Sequence, residues 1–132
     1  MFTSRRVFTL LACATLAGAV LAQDKYPSKP IRMIVPFPPG ASTDILGRTI
    51  AQKLSTTMGV PVIVDNKGGA SGTMGSEMLA RSAPDGYTIG VAVPATHSLP
   101  IALSRKVPYD PDADFAPIAS ISSPMAVPAS SI

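Results

Sequence analysis

Three short apolar runs rich in β-branched residues, at 31–35, 60–64 and 88–93, alternate with two segments of helical periodicity, and nothing else in the chain narrows the fold as much. The first run is apolar on both faces apart from Arg32, which suits a strand buried between helix layers. After it, Leu46, Ile50, Leu54 and Met58 recur at i, i+4 with Gly47 and Ala51 beside them, which predicts a helix over 43–58 with one apolar face. Gly59 fits the left-handed stop position and Pro61 blocks continuation. In the next segment Met74, Met78 and Leu79 predict the buried stripe of a second helix, with Ser71 or Thr73 as its N-cap and Glu77 and Arg81 paired on the solvent side. Pro84-Asp85-Gly86 then reads as a turn: Pro presets φ, Asp bonds back to the backbone and Gly takes the awkward angle.

Strand, helix, strand, helix, strand is a βαβαβ pattern, and right-handed crossovers make its strands parallel. The fold class is therefore α/β. Parallel strands place the loops that follow them along one sheet edge, here 36–43, 65–71 and 94–99, and that edge is where open α/β sheets bind ligands. The first loop reads Pro36-Phe37-Pro38-Pro39-Gly40-Ala41-Ser42-Thr43-Asp44. Its prolines remove backbone donors and stiffen the approach, Gly40 can take a positive φ, and Ser42, Thr43 and Asp44 are helix-capping types. The second, Asp65 to Gly72, is also Gly-rich. Two such loops running into helix N-termini offer N–H donors and positive dipole ends, which favour a carboxylate or a phosphate. That the glycines serve only tight turns is an equally open reading.

Residues 1–22 have the build of a secretory signal peptide: Arg5-Arg6, an apolar stretch from about Val7 to Leu21, and small residues before a cut after Ala22. Ser4-Arg5-Arg6-Val7-Phe8 resembles a twin-arginine export signal, although Thr9-Leu10 departs from its ending. Leu10-Leu11-Ala12-Cys13 looks like a lipoprotein box, but a cut there would leave hardly any apolar stretch upstream. The formal charge of +3 becomes +1 once Arg5 and Arg6 are removed, so the exported part, 23–132, has no footprint for nucleic acid. Cys13 leaves with the leader, which excludes disulfides and thiolate metal sites.

Enzymatic motifs fail one by one. The first loop lacks G-x-G-x-x-G, and Asp65, which mimics the ribose-binding acid, reads as a strand-end residue without it. There is no P-loop and no G-x-S-x-G elbow, and His97 is the one histidine that could act as a base. In a Pro-flanked loop it reads as an ordinary polar residue. Asp110-Pro111-Asp112-Ala113-Asp114 resembles the start of a calcium loop, but Phe115 holds the glycine position and Ile121 that of the bidentate Glu, so it reads as a solvated acidic turn. No enzyme, cofactor or metal is expected.

Four ordered motifs carry a resemblance. Tyr26-Pro27-Ser28-Lys29-Pro30-Ile31-Arg32, Val35 to Asp44, Ala83-Pro84-Asp85-Gly86-Tyr87-Thr88 and Val107-Pro108-Tyr109-Asp110-Pro111 are together similar to the Bug family. These are periplasmic solute receptors of tripartite tricarboxylate transporters, and the match runs from about Tyr26 to about Met125. The resemblance implies a periplasmic, monomeric Venus-flytrap protein whose two α/β lobes close on a small carboxylated solute for delivery to membrane components. It implies a ligand loop contributed by Pro39, Gly40, Ala41, Ser42 and Thr43, with Asp44 near the helix start. Gly40-Ala41 stands where the family has Gly-Gly. Gly69 and Ser71 fall in a loop resembling R-P-G-A-G-G, with Lys67-Gly68 in place of Arg-Pro, and Thr96-His97 aligns with the third cleft loop. Residues 118–127 resemble the strand leading to the hinge. On this reading 23–132 is a partial N-terminal lobe with the second lobe missing, and the chain alone is expected to bind solute weakly or not at all. The alternatives are a non-functional exported fragment of such a receptor and a small α/β enzyme.

Overall fold

The computed structural model describes residues 25–121. The leader and the end of the hinge-like segment therefore lie outside the described residues. In chain order the elements are β1 (Ile31–Val35), α1 (Ser42–Met58), β2 (Val62–Asn66), a 3₁₀ turn (Ala70–Gly72), α2 (Thr73–Ala80), β3 (Thr88–Gly90) and α3 (Ser98–Ala102). The strands form one parallel sheet in the order β2-β1-β3, pairing Ile31 with Val62 through Val35 with Asn66 on one side and Arg32 with Thr88 through Ile34 with Gly90 on the other. This is the α/β architecture the sequence predicts. The chain steps outward from β1 to β2, then crosses back over β1 to β3, so the strand order reverses at β1.

The pleat divides the core in two. Met33, Val35 and Val91 turn one face of the sheet to Ala51 of α1, with Ile50, Leu54, Val62 and Val64 packed around them. Gly47 lets α1 approach: a Cβ there would lie 2.8 Å from Val35 Cγ2. Ile34, Pro36 and Gly90 belong to the other face, which α2 covers.

Several expectations need correction. Leu46 is 39% exposed, so the buried stripe of α1 consists of the small Gly47 and Ala51 flanked by Ile50 and Leu54. Met74 and Met78 are exposed; α2 buries Gly75 and Ser76 instead, because a Cβ at Gly75 would already lie 2.7 Å from the Lys67 carbonyl oxygen and 2.8 Å from Pro36 Cα. At that separation only small residues fit the contact, and the methionines go to its flanks. Neither Ser71 nor Thr73 caps α2: its N-cap is Gly72, with φ +90° and no side-chain bond. The cap of α1 is Ala41, likewise bare.

β2 runs two residues later than predicted. Val60 and Pro61 belong to the turn after Gly59, whose φ is +71° as expected, and the ladder continues past the apolar run through Lys67 N–H to Val35 O at 2.8 Å. β3 stops at Gly90, opposite Ile34; one further bond, Val91 N–H to Ile34 O, ends the pairing, and Pro36 has no N–H to continue it. The loop after β3 closes into α3, and residues 118–121 form no strand.

The turn at Pro84–Gly86 is as predicted: Asp85 Oδ1 accepts from Tyr87 N–H at 2.9 Å and Gly86 has φ +78°. Tyr26 fixes the N-terminal lead-in to it by donating to Gly86 O at 2.8 Å and packing edge-on against Tyr87. Glu77 and Arg81 pair at 2.6 Å. Asp110 Oδ1 accepts from the N–H groups of Asp112 and Ala113, the exposed acidic turn of the sequence reading, and these bonds hold its carboxyl below the ordinary range.

Candidate functional site

Strand polarity alone brings the three loops to one edge, and their contacts show how closely they meet. A Cβ on Gly68 would sit 3.3 Å from Pro38 N, so the second loop lies against the first. A Cβ on Gly72 would lie 2.7 Å from Thr96 Cγ2, 3.2 Å from Pro36 O and 3.3 Å from Phe37 Cζ. All three loops converge on that glycine, at the C-terminal end of the strand where the order reverses, which is the crevice position of open α/β sheets.

In the first loop Pro39 and Gly40 are exposed, and Gly40 has φ +86° with open space around its Cα. Its N–H is not free: it donates to Asp44 Oδ2 at 2.9 Å. Ala41 N–H reaches Pro38 O at 3.3 Å, and its carbonyl starts the helix by accepting from Asp44 and Ile45. The N–H groups of Ser42 and Thr43 are the orphan donors of the first helical turn, and among the described residues neither they nor their hydroxyls have a partner. Of the residues the resemblance assigns to this loop, these two hold the spare donors.

Asp44 is buried yet carries its charge comfortably. Arg48 Nε bonds Oδ2 at 3.0 Å, Gly40 N–H shares that oxygen, and Asn66 Nδ2 donates to Oδ1 at 2.9 Å. Arg48 foremost, then Gly40 and Asn66, pull the carboxyl down to about 2. Asn66 also donates to Phe37 O at 3.0 Å and accepts from Arg48 Nη2 at 3.0 Å. The sequence reading singled out neither Arg48 nor Asn66. The i, i+4 spacing of Asp44 and Arg48 was the available signal; Asn66 gave none. On the opposite face Asp65 pairs with Arg32 and Lys67, Arg32 foremost in lowering its pKa.

The second loop takes positive φ at four residues in succession: Gly69 has φ +132°, Ala70 +47°, Ser71 +57° and Gly72 +90°. Two non-glycine residues held there store backbone strain, on the order of 1–3 kcal/mol each. Gly69 and Ser71 are exposed, and their N–H groups have no acceptor among the described residues. In the third loop Thr96 is fully buried, with its hydroxyl engaged: it donates to Val93 O at 3.0 Å and lies 2.8 Å from His97 Nδ1. His97 is half-buried against Phe115, with ring centroids 4.6 Å apart, and near Tyr109, whose hydroxyl donates to Thr96 O at 2.7 Å. Burial pushes the imidazole pKa down, partly offset by Asp112. Thr96 and His97 thus anchor residues 107–115 under the third loop. Two hollows, one beside Pro100 and Tyr109 and one beside Arg32 and Ile63, contain none of the candidate residues. The loop edge is an open surface.

Residues 46–131 match the tripartite tricarboxylate transporter family receptor. Protein BugT of Bordetella pertussis is 42% identical over 115 residues, 84% of this chain and 34% of BugT. Among solved structures, one described as a periplasmic transporter is 49% identical with a TM-score of 0.61, covering 65% of this chain and 29% of that one. MatC from Rhodopseudomonas palustris, with bound malate, is 38% identical with a TM-score of 0.66, covering 70% of this chain and 31% of that one. The chain thus spans about a third of the length of these relatives. The family is one of transporter receptors, not of enzymes, as the sequence reading expects. With the family match extending over residues 46–131 and the fold shared with these structures, the chain belongs to the tripartite tricarboxylate transporter receptor family.

Proposed function

We propose that this chain contributes the N-terminal lobe of a periplasmic receptor for small carboxylates, exported by its leader and serving the membrane components of a tripartite transporter. The observation that carries this reading is the pair of N–H groups and hydroxyls at Ser42 and Thr43 that have no partner among the described residues, at the start of a 17-residue helix above the strand-order reversal. A carboxylate there gains charge-assisted hydrogen bonds and the helix dipole together. The malate held by the related MatC is an anion of that class. Gly69 and Ser71 offer further backbone donors, while Thr96 and His97 tie the third loop to residues 107–115 beneath it.

One lobe supplies one wall of such a site, so affinity near the millimolar range, about −4 kcal/mol, is expected. Titrating the ¹⁵N-labelled chain with malate tests this. The Ser42 and Thr43 amides should shift saturably, and the neutral diamide of malate should leave them in place. An equal response to the diamide, or none to malate, would refute the reading. A second reading, an exported fragment that binds nothing, draws on the exposed Leu99, Ile101, Leu103 and Ile118. Rapid total digestion in limited proteolysis would favour it.

A further inference from the structure

We propose that Asn66 is a positioning residue for the ligand loop: from the end of β2 it holds residues 37–44 in the conformation that leaves the Ser42 and Thr43 donors unpartnered. The proposal rests on the carboxylate reading of that loop. Asn66 lies opposite Val35 in the register, on the face that carries α1. Its amide spends both hydrogens, on Phe37 O at 3.0 Å and Asp44 Oδ1 at 2.9 Å, and its oxygen accepts from Arg48 Nη2 at 3.0 Å. Asp44 in turn receives Gly40 N–H at 2.9 Å and Arg48 Nε at 3.0 Å.

Few other bonds can set this loop. Pro36, Pro38 and Pro39 supply no N–H. The two ties that flank Pro38-Pro39, at Phe37 O and Gly40 N–H, both end on Asn66 or on the carboxylate Asn66 orients. A primary amide is what the position demands, since two donors and one acceptor must leave one planar group. The arrangement also explains an acid beside an anion site. Asp44 has its lone pairs turned to Gly40, Asn66 and Arg48, and Arg48 balances its charge.

Asn66→Asp keeps the shape but sets lone pairs against Phe37 O and Asp44. The charged groups facing the new carboxylate are Asp44 and Arg48; Asp65 pairs with Arg32 and Lys67 on the opposite face of the sheet. The experiment is amide exchange and malate titration by NMR on the full chain, comparing wild type, Asn66→Asp and Asn66→Ala. We expect Gly40 to be protected in the wild type, less so in Asn66→Ala, and about tenfold or more less so in Asn66→Asp at neutral pH. The sheet amides Met33 and Ile34 should keep their protection. In Asn66→Asp the malate response of Ser42 and Thr43 should vanish and return on acidification, at a pH above the ordinary carboxylate value of about 4, where the new pair shares one proton. A merely structural role would show no such recovery.

Gly40 protection unchanged in both variants, or an undiminished malate response in Asn66→Asp, overturns the proposal. If malate moves neither amide in the wild type, the carboxylate reading fails, while Gly40 exchange still decides the positioning role. If Asn66→Asp also loses the sheet amides, Asn66→Ala decides it.

Discussion

Gly75→Ala puts one methyl group where α2 meets the roots of the first two loops. The new carbon would lie 2.7 Å from Lys67 O, 2.8 Å from Pro36 Cα and 3.0 Å from Pro36 Cβ. Lys67 O and Pro36 Cα are backbone and Pro36 Cβ is tied to it by the ring, so no rotamer relieves the contact. The helix has to retreat by about 0.5–1 Å to restore ordinary carbon contacts. Overpacking of this kind costs about 1–3 kcal/mol, and a rigid backbone neighbour argues for the upper end. Against it stands the helix preference of Ala over Gly, up to about 1 kcal/mol. A net loss of about 2 kcal/mol follows, or roughly 8–16 °C in Tm at about 4–8 °C per kcal/mol for a domain of this size. Gly47→Ala is the control: its carbon meets Val35 Cγ2 at 2.8 Å, a side chain, and it gains the same helix preference. It should cost less than Gly75→Ala. Urea unfolding followed by circular dichroism measures both, with an unchanged slope confirming that only stability moved. Gly75→Ala within about 0.5 kcal/mol of wild type, the range of neutral surface changes, would refute the close-approach argument. So would a loss smaller than that of Gly47→Ala.

The third loop yields two further predictions. Tyr109→Phe leaves Thr96 O without its donor beneath a fully buried residue, which should cost about 1–2 kcal/mol and make the His97 and Thr96 amides exchange faster; unchanged exchange there would show that the hydroxyl is not what anchors the segment. For His97, whose folded pKa lies below the ordinary 6.5, the unfolded chain takes up its proton first, so stability should be full above about pH 6.5 and fall as pH drops below it, levelling off once the folded imidazole also titrates. Comparing Tm between pH 7.5 and 5.5 for wild type and His97→Asn checks this, since the variant should lose that part of the slope; parallel curves would mean that the aromatic packing does not hold the ring neutral.

What the sequence disclosed and what it withheld divide along the range of the interactions. β1, α1 and the turn at Pro84–Gly86 were legible because their signals are local: β-branched runs, i, i+4 spacing, a proline or glycine at each end. The shared edge of the three loops followed from parallel strands. The strand order did not, since a βαβ unit fixes the hand of its crossover but not the side on which the third strand docks. The face of α2 was misread for a related reason. An apolar stripe is sought among large side chains, whereas here the contact distance selected Gly75 and Ser76 and left the methionines exposed.

The candidate site shows the same division at the scale of single atoms. The loop wording pointed to Ser42 and Thr43, but it counted Gly40 as a spare donor, and only the fold reveals that Asp44 takes that N–H. Asp44 can do so because Asn66, 22 positions along the chain, has been brought beside it by the β1–β2 pairing. A site built from backbone donors is thus specified less by the residues that touch the ligand than by those that decide which donors stay free. Such residues carry no motif of their own: Asn66 is an ordinary polar strand end until the strand beside it, the helix above it and the proline-rich loop are all in place.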